Sequence, residues 1–450
     1  MEDVFRYVDS HREEIVRELE TLCRQPSISA QGVGIGEMAE HVARHMREAG
    51  FEAEIHKTPG NPIVRGTLRG RSERTLLFYN HYDVQPPEPL DAWTSPPFEP
   101  TVREGCLFAR GATDNKGNIV SRLQAFKALR ATRGELSLTV KYIVEGEEEV
   151  GSPSLEGFVA SHKGLLAAHG VIWEDAQRED APVITLGNKG LCYLELTCRT
   201  ANVDFHSSHA PVYHNAAWRL LWALASLKGP DERVRIEGFD DPVRPLTPRE
   251  EELLAKLPPA NREARARAFG IRGFLLDASG QEAAVRFKRE PTCNVAGFES
   301  GYTGEGVKTI VPGRARAKLD FRLVADQDPD QVHRQVRAHL ERGGFGDVES
   351  RMLFRSLPAR FPPEAAVVRA AQEAARLVYR QEAAVDPLGS GGTPTWVVAR
   401  HLGIPLASTG VGHIGARTHG ADERIRLDHL FEGVKYMAAI VERFAAQALP

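Results

Sequence analysis

Apolar and polar positions along this chain switch between two periods, and the order of the switches predicts an α/β architecture. Near the start Ile15, Leu19 and Leu22, flanked by Val16 and Cys23, recur at helical spacing, and a second helix is predicted over residues 36–49, before the strand-like FEAEIH. The run RTLLFY is a β-rich strand that ends on Asn80, His81, Tyr82 and Asp83 and is closed by Pro86-Pro87. From Lys116 onward Ile119, Leu123, Phe126 and Leu129 mark one helix face, which puts Asp114 on the loop at that helix's amino end. The next strand, with Leu138, Val140, Tyr142, Ile143 and Val144, runs into Glu147, Glu148 and Glu149 and then turns at Gly151-Ser152. A further apolar run over residues 170–173 delivers Glu174-Asp175 in the same manner. Polar side chains thus gather at strand ends, and the carboxyl edge of an open α/β sheet is where ligands bind.

The texture changes at about residue 190. GLCYLELTCRT alternates as a strand with one buried face, and a helix containing Trp218, Leu221 and Leu224 follows Asn215. Residues 229–290 are charged, broken at Pro258-Pro259 and poor in strand patterns, which reads as a helical surface insertion without assigned chemistry. CNVAGFES and RAKLDFRLV bracket a glycine-rich loop, and a helix from Pro329 and a strand near 348–354 complete a β-α-β-β-α-β order. The first architecture resumes near Phe361, with a helix carrying Pro394 in its first turn, a strand over 404–409 and a loop holding His413 and His419. Leu430, Val434, Met437, Val441 and Phe444 make the last helix a core-facing stripe. The expected division is a catalytic domain of residues 1–189 and 356–450 with an inserted domain of residues 190–355.

Composition narrows the classes. A chain of 450 residues, 42% of them hydrophobic, supports a large core and exceeds one typical domain. A formal net charge of −4 and the lack of a basic amphipathic stretch give no footprint for nucleic acid or a membrane surface. The opening MEDVFRYVDSHREEIVRELETLC mixes charges throughout and reads as an amphipathic helix, not a signal peptide, and no run reaches the length of a membrane span. Cys23, Cys106, Cys192, Cys198 and Cys293 are odd in number and lack CxxC spacing, which points to reduced thiols, a cytoplasmic location and a metal site without cysteine.

Three adjacent glutamates repel one another unless a cation or a proton-transfer task stabilises them. An isolated run of this kind is usually a solvated loop, and a lone histidine at a strand end is usually a hydrogen-bonded structural residue. Here His81 with Asp83, Asp114, Glu147 to Glu149, Glu174 with Asp175, and His419 all come from strand ends or adjoining loops. Two histidines with several carboxylates and no cysteine suit a hydrolytic site for zinc or a related divalent ion. His81 and Asp83 share a face of an extended chain, so Asp83 can hold the imidazole in its metal-binding tautomer.

The segments NHYDVQPP, ARGATDNKGN, EGEEEVGS, GVIWEDA, DFHSSH, SGYTGEGVKTIVP and THGADERI, in this order and spacing, resemble the M20 di-zinc metallopeptidases. The likeness is to the branch of cytosolic non-specific dipeptidase and carnosinase-like enzymes, and it runs from PSIS near residue 28 to the last helix. It implies a mixed-sheet catalytic domain of the aminopeptidase-like three-layer type, with an inserted α+β ferredoxin-like domain that serves as lid and dimerisation surface. Carried over by residue, it makes His81 and Glu174 terminal ligands of one metal, Glu149 and His419 terminal ligands of the other, Asp114 the bridge and Glu148 the general base acting on a metal-activated water. It implies two divalent ions per chain, zinc with manganese or cobalt as alternatives, and a cis peptide after Asp114. It also implies a homodimer in which His206 reaches the neighbouring site to stabilise an oxyanion. Arg322, Asn294 and the backbone amides of Gly391 and Gly392 fall at positions that contact substrate.

Some positions depart from the family's pattern. Ser208 stands where a glycine is usual after D-x-H-S, and Glu174 stands where many members have Asp, which leaves Asp175 as an adjacent alternative ligand. His419 is preferred over His413 because Glu423 follows it at the family's spacing, and His209 and His214 are read as surface residues. The implied activity is cleavage of an amide bond in a small peptide, as a dipeptidase or carboxypeptidase. Removal of an acyl, succinyl or carbamoyl group from an amino acid is the alternative within the same chemistry. A catalytically silent binding homologue would not need Glu148, and a dinuclear phosphoesterase fits the metals but not the other motifs.

Overall fold

The strand Thr75–His81 is buried at every position, the signature of a strand covered on both faces. In the computed structural model it pairs in parallel with Thr139–Glu145 on one side and with Gly170–Trp173 on the other. The structure describes residues 1–450 except 175, 177–181, 258, 260, 261, 390, 449 and 450, so the expectations on Asp175 and Pro258 lie outside the described residues. The chain divides into two compact units, residues 1–187, 361–387 and 393–450, and residues 188–360 with 388–392.

The first unit is built on an eight-stranded mixed sheet. Its strand order is Glu52–His56, Ile63–Leu68, Thr139–Glu145, Thr75–His81, Gly170–Trp173, Leu406–Ser408, Val183–Thr185 and Ala384–Asp386. The helix Lys116–Arg133 packs against Thr75–His81 and against the last helix, Leu427–Ala446, which in turn packs on Ala366–Tyr379. The stripe predicted on Leu427–Ala446 is buried as expected. Lys116–Arg133 departs from the single apolar face read from its sequence: Asn118, Ser121, Arg122 and Gln124 are buried as well, each with a protein partner instead of water. Arg122 bonds at a strand end, Asn118 at the Val411 amide, Gln124 at Glu18 of the helix Arg12–Arg24 and Ser121 at the Asn118 carbonyl. The expected helix with Pro394 in its first turn begins later, at Trp396, with Thr395 as its N-cap, and ends at His401. The strand expected over 404–409 forms only at Leu406–Ser408.

In the second unit the strands Asn294–Ser300, Arg314–Leu323, Gly190–Arg199 and Val348–Ser356 pair antiparallel in that spatial order. Alternate residues of Gly190–Arg199 are buried. Leu194, Leu196, Leu319 and Phe321 join Leu220 of the helix Ala216–Leu227 and Val336 of the helix Pro329–Arg342 in one core. The Asn215 side chain accepts from the amides of Ala217 and Trp218 and so starts the first of these helices. Helices Pro248–Ala255, Arg262–Phe269 and Gly280–Arg289 occupy the charged stretch, as its pattern predicts. Among the described residues no helix is long and apolar enough to cross a membrane.

Candidate metal centre

His81 closes its strand and is buried. Its Nδ1 lies 3.1 Å from the Asp83 carbonyl and 3.4 Å from the Asp83 carboxylate, which places the proton on Nδ1 and turns Nε2 toward Asp114. Asp83, fully buried, also accepts the amides of Glu148 at 3.2 Å and Glu149 at 3.0 Å. One carboxylate therefore orients the ring and clamps the turn that presents the glutamates. That turn is a single 3-10 turn, Glu148–Val150, closed by left-handed Gly151, where a side chain would be strained. Glu147 takes no part in the cluster: its oxygens accept the amides of Asn61 and Ser154 and anchor the loop.

Asp114 carries the arrangement. Its Oδ1 is 3.0 Å from His81 Nε2 and its Oδ2 is 3.0 Å from His419 Nε2, so each oxygen of one carboxylate faces a different histidine. His419 Nε2 is also 3.2 Å from Glu149 Oε2. One ligand atom each from His81, Asp114 and Glu149 lies within 4.8 Å of the others. The Glu149 side chain is buried, and its Oε1 has no hydrogen-bond partner, a costly state for a carboxylate oxygen unless a cation meets it. This donor set of histidine and carboxylate fits a divalent metal. The peptide Asp114-Asn115 is cis, as the resemblance implied.

The electrostatics of these side chains show how crowded the charges are. Burial, then the charge of Glu174, and further Asp114 and Glu149 push the Glu148 carboxyl well above its ordinary value, against the pull of His81. Burial opposes a charged His81, yet its bonds to Asp114 and Asp83 raise its pKa well above the usual imidazole value. Asp114 and Glu149 raise His419 to about 10. Divalent ions in the site would reverse these directions, because the shared protons would leave.

The tasks of two supports are not legible in the sequence. Gln85 Nε2 donates to Glu149 Oε2 at 2.9 Å. Glu423, fully buried, accepts from Arg110 and from the amides of Gly111, Thr113 and Asp114, tying the Asp114 loop to the segment that carries His419. The THGADE spacing had marked Glu423 but not its task. Arg417, His419 and Asp422 all have positive φ, so the His419 loop takes a backbone that ordinary side chains disfavour and depends on such anchors. His413 is buried and packs edge-on to His429 with ring centroids 5.3 Å apart.

Glu174 follows the strand Gly170–Trp173, and its charge is felt by Glu148 and Tyr79. Glu174 is not in the three-residue group formed by His81, Asp114 and Glu149. In the second unit His206 is exposed, and its Nδ1 accepts the Ser208 amide at 3.2 Å, which leaves the ring proton on Nε2. The histidine ring thus caps the short turn Ser207–His209. Asn294 Nδ2 donates to Asp320 at 2.8 Å. Among the described residues no carboxylate pairs with the half-buried Arg322, and a side-chain carbon built on Gly392 would lie 3.7 Å from its guanidinium. Gly391 and Gly392 precede the N-cap Thr395 and lie outside the first turn of Trp396–His401, so their amides are loop amides and not those of a helix terminus.

Residues 77–443 match peptidase family M20/M25/M40. The chain is 30% identical to the Beta-Ala-His dipeptidase of Mus musculus over 365 residues, 76% of this chain and 73% of that protein. It is 27% identical to the Cys-Gly metallodipeptidase of Schizosaccharomyces pombe over 480 residues, 99% of this chain and 98% of that protein. Its fold superposes on an M20 family metallo-carboxypeptidase from Sulfolobus solfataricus with a TM-score of 0.88 and 38% identity, covering 96% of this chain and all of that one. With a mixed α/β fold, a cluster suited to metal and relatives that are metallopeptidases along its length, this chain belongs to peptidase family M20/M25/M40 and is a dipeptidase-like hydrolase.

Proposed function

We propose that this protein is a dinuclear metal-dependent peptidase that cleaves the amide bond of a dipeptide or of a carboxy-terminal residue. The observation that carries the reading is the Asp114 carboxylate, whose two oxygens each face a different histidine beside Glu149. His81 and Glu174 would hold one ion, Glu149 and His419 the other, with Asp114 shared; zinc suits these donors, and manganese or cobalt would also be accepted. Such ions, when bound, supply Lewis acidity and lower the pKa of a water. Glu148 would serve as the general base that takes a proton from the attacking water and returns it to the departing amine, a role for which its carboxylate-crowded setting suits it. Arg322, a guanidinium without a carboxylate partner among the described residues, binds the substrate's free α-carboxylate through its planar fork, assisted by Asn294 and the Gly391 and Gly392 amides. The protein is read as cytoplasmic.

The reading is tested by comparing kcat/KM for a dipeptide, its carboxy-terminal amide and an N-acetyl amino acid, with zinc, manganese or cobalt added. The free dipeptide should be the best substrate, and Arg322→Met should cost it about 2–5 kcal/mol in transition-state binding while hardly affecting the amide. Faster turnover of the N-acetyl amino acid would make the protein a deacylase instead.

His206 has its Nε2 proton free to donate and would stabilise the oxyanion in the site of a partner copy of this chain. Mixing His206→Ala chains with Glu148→Gln chains, each inactive alone, should recover activity, since one composite site then has both natural residues. No recovery after verified subunit exchange would rule out the shared site.

A further inference from the structure

One buried guanidinium holds the strand ends on which the first metal position depends. Arg122, on the helix Lys116–Arg133, is fully buried. Its Nη1 donates to the Tyr79 carbonyl and to Asn80 Oδ1, and Asn80 Oδ1 also accepts from the Tyr142 hydroxyl. Its Nη2 donates to the carbonyls of Trp173 at 2.9 Å, Glu174 at 2.8 Å and Thr409 at 3.4 Å. These acceptors lie at or just past the carboxyl ends of Thr75–His81, Gly170–Trp173 and Leu406–Ser408, which are neighbours in the sheet.

The sheet itself cannot do this work. Pairing between Thr75–His81 and Gly170–Trp173 stops at Phe78 and Ile172, short of both His81 and Glu174. Beyond that point these two strands no longer pair, and the Trp173 carbonyl, which meets the Thr409 amide only at 3.4 Å, takes its shorter bond from Arg122. A guanidinium offers five donors in a rigid plane, enough to reach both strand ends at once. A lysine ammonium has three donors about a single nitrogen, so it reaches fewer of these acceptors.

We propose that Arg122 is a positioning residue that fixes His81 relative to Glu174 and so sets the affinity of the metal position those two would share, without itself touching metal or substrate. The proposal rests on the ligand assignment given above. Asp114 has a support of its own, its amide donating to Glu423, while Asn80 Nδ2 donates to Asn115 Oδ1 in the next residue, so the position shared by Glu149 and His419 depends on Arg122 less directly.

The test is competition of zinc against a chromophoric chelator at 25 °C, on wild type, Arg122→Met, Arg122→Lys and, as a reference, His81→Ala, with thermal unfolding of each metal-free protein measured alongside. Removal of a group that orients ligands typically costs about 10- to 100-fold in metal affinity. Arg122→Met should weaken one of the two binding steps by that factor, the same step that His81→Ala removes, and leave the other unchanged, while Arg122→Lys falls between. Should Arg122→Met fail to fold, Arg122→Lys and Arg122→Gln decide the matter by the same measurement. A folded variant that melts at a lower temperature yet binds both ions as wild type does would reduce Arg122 to a structural role and overturn the proposal. Equal weakening of both steps would overturn it too. Wild type that binds a single ion would instead defeat the dinuclear reading, whatever the variants do.

Discussion

Glu148→Gln should bind metal as wild type does and turn over substrate about 10²–10⁴-fold more slowly, the usual loss when a general base is removed. The amide keeps the shape and the hydrogen-bonding reach of the carboxylate but cannot take a proton. The backbone of the turn would survive the change, since the amides of Glu148 and Glu149 are held by Asp83 and not by the Glu148 side chain. The same substitution one residue later should behave differently. Glu149 is bonded to His419 and Gln85, and an amide there gives up the charge that a cation needs, so Glu149→Gln should lose metal first and activity as a result. Metal analysis by mass spectrometry with kcat on the same samples separates the two. Near-wild-type turnover in Glu148→Gln would mean that the base is another group.

Asp114→Ala should abolish both metal positions together, and with them all measurable activity. The reason is geometric: each oxygen of this carboxylate faces a different histidine, so its removal takes one donor from each side and also leaves two imidazoles facing each other across the gap. His81→Ala removes a donor from one side only and should mainly weaken one ion. Stoichiometry after dialysis against a small excess of zinc, near two for wild type, near one for His81→Ala and near zero for Asp114→Ala, would establish Asp114 as the bridge. An Asp114→Ala protein that still holds one ion tightly would show that the two positions do not share it.

Why much of this could be read from the chain, and some could not, follows from the kind of interaction involved. Apolar runs that end on charged residues mark strand ends without a structure, which is how His81, Glu149 and Glu174 were placed, and the alternation in GLCYLELTCRT marks a sheet with one covered face. Arg122 gave no such signal. A lone arginine among apolar helix positions looks like a solvent-facing charge, and only the packing of the helix against strand ends shows it buried with its donors used. Gln85 is hidden for the same reason, and Glu423, though marked by its spacing, gives no sign of its task, since each acts on residues far away in sequence. The late start of the helix Trp396–His401 shows the limit of a proline rule: Pro394 sets a favourable φ, but Thr395 ends up as the cap, and the helical turn begins after it.

The place of Leu406–Ser408 in the sheet bears on how the protein is made. It lies between Gly170–Trp173 and Val183–Thr185, yet it leaves the ribosome long after either. At ordinary elongation rates of about 5–20 residues per second the delay is roughly 10–50 s. Residues 188–360 form one continuous stretch of chain and can fold during that wait, whereas the sheet behind them cannot close. For that time the nascent chain carries an open strand edge next to Val171 and Ile172, which are fully buried in the finished protein. An open apolar edge is a template for pairing with another chain. Translation of this protein should therefore expose a sticky edge for a time set by the length of the insertion, so slowing the ribosome within residues 188–405 is expected to extend the exposure and chaperones that cover strand edges to limit its consequences.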